Sequence, residues 1–230
     1  MAKMTREEYV ARAESEEADD WAPGWDAIDD CLRPLYGDQK PAHLGTPLEK
    51  RAVLGGDQYI DGYSIYTSPK GYKHGVTYGM TELYVDVDAF GQEHSRWGYE
   101  MTMKYLTPDG VTDEQMAFWS AEFFASVGSW ANKSQRLFES MQCLNVGNGK
   151  SFNHHVGDSA ITAVLFVNDT ELIGADTVHG RVDFLQFVGI TDKERKTILD
   201  DPGKAAVLVG NMKADSPDLV TDFSRTTNYL

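Results

Sequence analysis

The chain has 230 residues, 41% of them hydrophobic, and a net charge of −15 from 36 acidic and 21 basic side chains. A chain of this size can bury a sizeable core, and its charge disfavours nucleic-acid phosphates and anionic lipid while favouring encounter with a basic partner. Two cysteines, Cys31 and Cys143, are too few for a disulfide framework, so we expect a reducing cytoplasm. Residues 1–10 lack the apolar core of a signal peptide, and no apolar run is long enough to cross a bilayer.

Hydrophobic periodicity and turn residues divide the chain into helices, strands and loops. Three helix starts carry a capping box, in which a threonine is followed three residues later by Glu or Gln, at Thr5, Thr112 and Thr191. In chain order the predicted elements are a helix at 6–18, a helix at about 23–35, a loop at 37–50, strands near 50–55, 60–67, 76–89 and 96–106, a helix at 113–133, an irregular segment at 137–153, strands near 161–167 and 182–189, a helix at 192–200 and a strand at 205–210.

These elements predict an α+β fold, a mixed and mainly antiparallel sheet with helices packed on it. In the long helix, apolar and aromatic residues recur at helical spacing from Met116 to Trp130, so we expect this stripe to pack against the sheet. Ten acidic and three basic side chains lie in residues 1–30. We therefore predict an acidic N-terminal helical extension, residues 1–22, followed by one domain, residues 23–230.

Two segments of strict alternation between Val76 and Leu106 give the clearest structural signal. Period-two alternation places apolar and polar side chains on opposite faces of a strand, so the two segments predict an antiparallel pair with one buried face. The predicted buried residues are Val85, Val87, Tyr99 and Met101. The predicted partner-binding residues are the solvent-facing carboxylates of Asp86, Asp88 and Glu100, with Asp61 as a weaker candidate.

Motifs that hold nucleotides or calcium are incomplete in this sequence. Gly149-Lys150-Ser151 is similar to the end of a P-loop, but Leu144 stands where that loop needs its first glycine. Asp86 and Asp88 have the spacing of the first calcium-loop ligands, but the later oxygen ligands are missing. The alternation of a strand explains the two aspartates without a metal.

The signals for zinc and for a catalytic nucleophile are also weak. His154 and His155 are adjacent, and adjacent side chains on a strand point to opposite sides. The Gly-x-Ser-x-Gly elbow is absent. We therefore predict no cofactor, no metal and no enzymatic activity. A metal site completed by distant His94 or His179, and a catalytic triad assembled from distant residues, remain open alternatives.

Five short segments, spread in order along the chain, resemble the suppressor of fused family. They are Leu54-Gly55-Gly56 followed by Asp57, the Gly79–Tyr84 segment, the Gly98–Lys104 segment, the Phe184–Ile190 segment, and Val220-Thr221-Asp222 with Arg225. Their shared order is more specific than any one of them. The chain departs from the animal proteins of the family at Gly147–Phe152, where those proteins read roughly Gly-Asp-His-Val-Ser-Trp. Partner contacts made by that acidic group and imidazole are therefore not expected here.

The resemblance implies a fold like the N-terminal domain of the family and a non-enzymatic, protein-binding function. Animal members bind and restrain a transcription factor, whereas short bacterial members are identified in many cases as immunity proteins beside polymorphic toxins. The resemblance therefore predicts a cytoplasmic immunity protein whose partner is a basic toxin domain. It predicts no binding to nucleic acid or membrane. The alternatives are a hydrolase with a nonlocal active site and a regulatory binder of a transcription factor.

Overall fold

A computed structural model describes residues 4–15, 20–46 and 60–230. In chain order the elements within these ranges are α1 (Arg6–Ala13), α2 (Pro23–Tyr36), β1 (Ala42–Gly45), β2 (Gly62–Thr67), β3 (Lys73–Tyr78), β4 (His94–Tyr105), α3 (Asp113–Ser134), β5 (Cys143–Leu144), β6 (Ile161–Asn168), β7 (Ala175–Thr177), β8 (Gly180–Thr191), α4 (Asp192–Asp200) and α5 (Lys204–Asp215). No helix within these ranges is both long enough and apolar enough to cross a bilayer.

The strands form a single mixed sheet in the order β1-β2-β3-β4-β8-β6-β5, and β7 pairs with β8 beside this path. Strands β4 and β8 run parallel, and the other pairs are antiparallel. The parallel pair joins two halves of the chain, because β4 and β8 are separated in sequence by α3 and three strands. The predicted α+β fold, a mainly antiparallel sheet with helices packed on it, is confirmed.

Helix α3 covers one face of the sheet. Its N-terminus is closed by the predicted capping box, in which the Thr112 side chain accepts from the Gln115 backbone and the Gln115 side chain accepts from the Thr112 backbone. The helix lies close to the strands, since a Cβ added to Gly75 would lie 3.3 Å from the Phe124 ring. The core under α3 includes the buried side chains of Met101, Met103, Tyr105, Trp119, Phe124, Phe166 and Phe187. Burying each side chain of this size stabilises the fold by roughly 1.5–3 kcal/mol.

The opposite face of the sheet carries two apolar clusters. The first joins α2 to the sheet through Ile28, Leu32, Tyr66, Val76, Tyr78, Leu83 and Phe184. The second joins α4 and α5 to β6 and β8 through Ala163, Leu165, Val188, Ile190, Ile198, Leu208 and Met212. Fully buried polar side chains occupy the same face of β3, β4 and β8, and we call them the polar belt: His74, Thr102, Lys104 and Gln186.

The predicted strand over residues 76–89 is wrong beyond Tyr78. Gly79 has a φ of +117°, which ends the extended conformation, and residues 79–93 form no strand. The backbone N–H of Gly79 donates to the Glu100 carboxylate instead of to a neighbouring strand. The antiparallel pair is therefore β3 with β4, joined by a connection over residues 79–93 that we call the acidic loop.

Three other predictions near the ends of the sheet have different outcomes. The predicted strand at 205–210 is wrong, because this segment belongs to α5, where Ala205, Leu208 and Met212 are buried at helical spacing. The predicted loop at 37–50 contains β1. The predicted strand near 50–55 lies outside the described residues.

Candidate functional site

The polar belt is buried beneath residues 169–172 and 216–219, and its centre is the Asp169 carboxylate. Asp169 accepts from the Lys104 ammonium at 2.9 Å, the Thr102 hydroxyl at 2.6 Å and His74 Nε2 at 3.1 Å. Two backbone N–H groups, those of residues 171 and 172, also donate to it. The Lys104 ammonium also forms an ion pair with the Glu171 carboxylate, at 3.0 Å. The basic side chains of the belt are thus paired with carboxylates of the same chain, and charged groups can be buried only when they are paired in this way.

The two carboxylates of this network have lowered pKa values. Burial alone would raise the pKa of Asp169, but the hydrogen bond and charge of His74 and the charge of Lys104 lower it overall. Burial likewise acts against ionisation of Glu171, and hydrogen bonds from Lys70, Tyr72 and Lys104 lower its pKa from 4.5 to about 2. Both groups therefore stay ionised in the folded chain at pH values where they would be protonated in the unfolded chain.

We expect the free energy of unfolding to fall as the pH is lowered from about 5 to about 2. Carboxyl groups with lowered folded pKa values stabilise the fold fully above their unfolded pKa values, and this stability is lost as they are protonated. Replacing Glu171 with glutamine should lower stability at pH 7 and make the acid dependence shallower. Urea unfolding between pH 7 and pH 2.5 measures both effects. Glu93→Gln, at a side chain that is 91% exposed, is the control; equal slopes for the wild-type and Glu171→Gln chains would contradict the prediction.

Glu100 does not face solvent, contrary to the sequence prediction that placed it on the partner-binding face. Its side chain is fully buried, and its carboxylate accepts from the hydroxyls of Thr77 and Thr81 and from three backbone N–H groups, those of residues 79–81. Burial raises the pKa of Glu100, and these hydrogen bonds oppose the shift. Alternation along β4 does reflect two different faces, but the chain covers the polar face as well as the apolar one. Tyr99 and Met101 are buried, as predicted.

The acidic loop holds the other predicted contacts. Asp86 and Asp88 are exposed, as predicted, and the Asp86 carboxylate accepts from the Asp88 backbone N–H at 2.9 Å. The Tyr84 hydroxyl donates to Asp61 at 3.3 Å, which brings the half-buried Asp61 to the same end of the sheet. Val85 and Val87 are only half-buried, so the prediction that they are buried is wrong. Three of the four predicted carboxylates, those of Asp61, Asp86 and Asp88, are therefore at least partly exposed on or beside one loop.

Helix α1 fixes the acidic loop to the rest of the domain. The buried Tyr9 hydroxyl accepts from the Asp86 backbone N–H at 2.8 Å and lies 2.8 Å from His179 Nε2. His179 Nδ1 faces the Glu82 carbonyl oxygen at 3.3 Å, and burial lowers the pKa of this histidine, so it donates there as a neutral ring. Gly24 of α2 contacts the loop so closely that a Cβ would lie 1.9 Å from the Glu82 oxygen. The loop is thus held by both N-terminal helices.

An apolar patch that the sequence did not predict lies beside the C-terminal end of α3. A cleft of about 220 Å³ is lined by Phe123, Ser126, Val127, Trp130, Leu144, Asn145 and Val146. Trp130 was expected in the core, but it is 39% exposed, with its ring stacked on Phe138 at 5.6 Å. In the segment that follows α3, Leu137 and Met141 are 53% and 41% exposed. We call Trp130, Leu137, Met141 and the cleft the apolar patch.

The chemistry available to an enzyme is limited in the described ranges. No group of three His, Cys, Asp or Glu side chains in them is placed to hold a metal ion. His74 pairs with Asp169, but its other nitrogen faces the Tyr36 hydroxyl at 2.7 Å. Burial and nearby carboxylates raise the pKa of Tyr36, so the phenol remains protonated and is a poor nucleophile. This group is therefore better suited to holding Tyr36 in place than to acid–base chemistry.

Comparison with known proteins gives a consistent result. A family model described as "Suppressor of fused protein (SUFU)" matches residues 56–226. "Suppressor of fused homolog" from Homo sapiens is 28% identical over 221 residues, a match that covers 88% of this chain and 43% of the human protein. The Mus musculus homologue matches with the same identity and coverage. The chain therefore spans less than half the length of these curated relatives.

Three solved structures share the fold. The crystal structure described as the Sufu-Fu complex has a TM-score of 0.75 at 23% identity, covering 90% of this chain and 93% of that one. Drosophila Suppressor of Fused has a TM-score of 0.72 at 24% identity, covering 90% of this chain and 51% of that one. A putative SUFU homolog from Neisseria gonorrhoeae has a TM-score of 0.59 at 14% identity, covering 90% and 97%. At these identities the likeness concerns the fold alone.

Proposed function

Because the chain belongs to the suppressor of fused protein family, we propose that it is a non-enzymatic domain that binds a protein partner through the apolar patch. The observation that carries this proposal is the exposed Trp130, which lines a preformed cleft, together with the exposed Leu137 and Met141 in the segment that follows α3. Large apolar side chains exposed near a cleft are typical of protein interfaces, and tryptophan is a frequent anchor in them. One structure with the same fold is described as the Sufu-Fu complex, and this description also supports a protein partner.

The finer proposal is that the partner is a basic toxin domain, which the chain neutralises in the cytoplasm. The net charge of −15 and the exposed Asp86 and Asp88 support a basic partner, because complementary charge accelerates encounter. Two free cysteines are compatible with a reducing compartment. In this proposal the acidic loop steers the partner, and the apolar patch supplies most of the affinity.

The test begins with a basic toxin domain encoded next to the gene for this chain, whose binding is measured by surface plasmon resonance. We expect Trp130→Ala to weaken binding by at least about 2 kcal/mol, mainly through faster dissociation, as at interface anchors. Phe118→Ala removes a 53% exposed aromatic ring elsewhere on α3 and is the matched control. Equal affinities for the Trp130→Ala and wild-type chains would contradict the role of the patch.

Charge reversal separates steering from anchoring. Asp86→Lys combined with Asp88→Lys should slow association and weaken its salt dependence, because loop carboxylates act at long range. Asp109→Lys with Glu114→Lys makes the same charge change near the start of α3 and should leave association faster than the loop variant. A toxicity assay with the co-expressed chain tests neutralisation separately. Binding without protection would retain the protein-binding function and refute the immunity role.

A further inference from the structure

A second concave surface lies on the other side of the domain core, between α2 and the β1–β2 edge of the sheet. This groove has a volume of about 490 Å³. Its lining includes the aromatic side chains of Trp25, Tyr36 and Tyr66, together with His43 and the carboxylate of Asp29. We call it the aromatic groove. It shares no lining residue with the apolar patch.

The rings of the aromatic groove are held in fixed positions. Trp25 stacks on Tyr78 with centroids 4.4 Å apart, and Tyr36 stacks on Tyr66 at 4.5 Å. The Tyr36 hydroxyl lies 2.7 Å from His74, which is itself fixed by Asp169 within the polar belt. The groove is therefore pre-organised, and a ligand would not have to order these side chains on binding.

The charge inside the groove is the Asp29 carboxylate, which forms no ion pair in the described residues, although the charge of nearby Arg33 acts to lower its pKa. Asp29 accepts from the Tyr78 hydroxyl at 2.8 Å, and burial raises its pKa. In the part of the chain that the structure describes, no Lys, Arg or His nitrogen lies within 4.0 Å of this carboxylate. Arg33 instead pairs with Asp30 at 2.6 Å, and burial lowers the pKa of His43, which keeps that ring neutral.

Charges at the rim do not change this picture. The exposed side chains of Arg33, Asp38 and Lys40 also line the groove. Arg33 is paired with Asp30, and Asp38 and Lys40 have opposite signs, so these four side chains contribute no net charge to the opening. A carboxylate among aromatic faces is the environment that binds cations, because the ring faces and the anion attract the same charge. A planar guanidinium can stack on a ring while donating to a carboxylate, which a compact ammonium does less well.

We propose that the aromatic groove binds an arginine side chain of a basic protein partner, with the guanidinium paired to Asp29 and packed against the groove's aromatic rings. This site rests on the proposed protein-binding function and adds a specific contact to it. In this proposal the groove recognises an arginine side chain of the partner, whereas the apolar patch contacts apolar side chains of the partner.

The probe is the tripeptide acetyl-Gly-Arg-Gly-amide, titrated into the full chain and followed by ¹H–¹⁵N NMR. We expect saturable shifts at the Trp25 indole N–H and at the Ser64 amide, which line the groove. The same peptide with citrulline, which is nearly isosteric but uncharged, should bind about tenfold more weakly or worse, since a hydrogen bond to a charged group is lost. This comparison uses the unaltered chain and needs no variant to fold.

Asp29→Asn then tests the carboxylate, because asparagine can still accept from Tyr78. Asp29→Asn should weaken binding of the arginine peptide about tenfold, whereas Asp38→Asn at the rim should change this binding by less than about twofold. Equal binding of the arginine and citrulline peptides, equal losses in the two variants, or preferential binding of acetyl-Gly-Glu-Gly-amide would each overturn the proposal. The tripeptide tests the groove without any partner, so its failure leaves the apolar patch unaffected. Failure of the Trp130→Ala test would likewise leave the groove unaffected.

Discussion

Replacing Asp169 with alanine should cost about 3–5 kcal/mol of unfolding free energy, which is a large part of the stability of an ordinary domain. The substitution removes the acceptor of five hydrogen bonds and leaves Lys104 buried with Glu171 as its remaining ion-pair partner. It also frees the turn at residues 169–172, which covers the polar belt. Urea unfolding at pH 7 measures the loss.

Asp183→Ala provides the comparison for Asp169→Ala, because the Asp183 side chain is 55% exposed and pairs with Arg181 on the surface. Surface ion pairs contribute about 0–1 kcal/mol, so this variant should unfold close to the wild-type midpoint. If Asp169→Ala lost no more than Asp183→Ala, the polar belt would not be a stabilising network. Loss of the native fold in Asp169→Ala at 25 °C would agree with the prediction.

Local signals were sufficient to predict helices α1 to α4 but not α5. The capping boxes at Thr5, Thr112 and Thr191 are all formed, because the two reciprocal hydrogen bonds depend on residues only three positions apart. The segment at 205–210 was assigned to a strand because a short apolar run has no distinctive period. Its helical burial becomes evident only with Met212, one turn further on.

The buried polar face of β4 could not be predicted from alternation. Alternation at Glu100, Thr102 and Lys104 separates two faces of a strand, but it does not reveal what covers each face. The group that covers Thr102 and Lys104, Asp169, comes from more than 60 residues further along the chain, and the groups that cover Glu100 come from residues 77–81. A lysine and a glutamate on one predicted strand face are ordinarily solvent-exposed, and here long-range hydrogen bonds override that preference.

Sequence reasoning predicted part of the candidate site. The exposure of Asp86 and Asp88 was predicted correctly although their segment is a loop, because charged side chains rarely bury without partners. The exposure of Trp130 was not predicted, because helical spacing indicates which side of α3 faces the sheet but not where the sheet ends. The aromatic groove was also missed, since its walls come from α2 and from the distant strand β2.

Glu100 should be nearly as important to stability as Asp169, and it should also control the acidic loop. We expect Glu100→Ala to cost about 3–5 kcal/mol, because it strands buried backbone and hydroxyl donors around an apolar methyl group. Glu100→Gln retains the volume but turns an NH₂ group toward these donors, so it should cost about 1–3 kcal/mol. In the Glu100→Gln chain, the amide protons of Gly79 and Thr81 should exchange faster with solvent, while those of β8 keep their protection.

Hydrogen exchange of the Glu100→Gln chain also connects stability with binding. The carboxylate fixes residues 79–81 at the start of the loop that carries Asp86 and Asp88, whereas Tyr9 fixes the loop independently at Asp86. If both attachments are needed to present the carboxylates, Glu100→Gln should slow association with a basic partner without changing any surface charge. Thr77→Val removes one hydroxyl donor to Glu100 but leaves its bonds to the loop backbone, so it should have little effect on association. Unchanged exchange at Gly79 and Thr81 would mean that the other attachments of the loop, among them Tyr9, hold it without the Glu100 carboxylate.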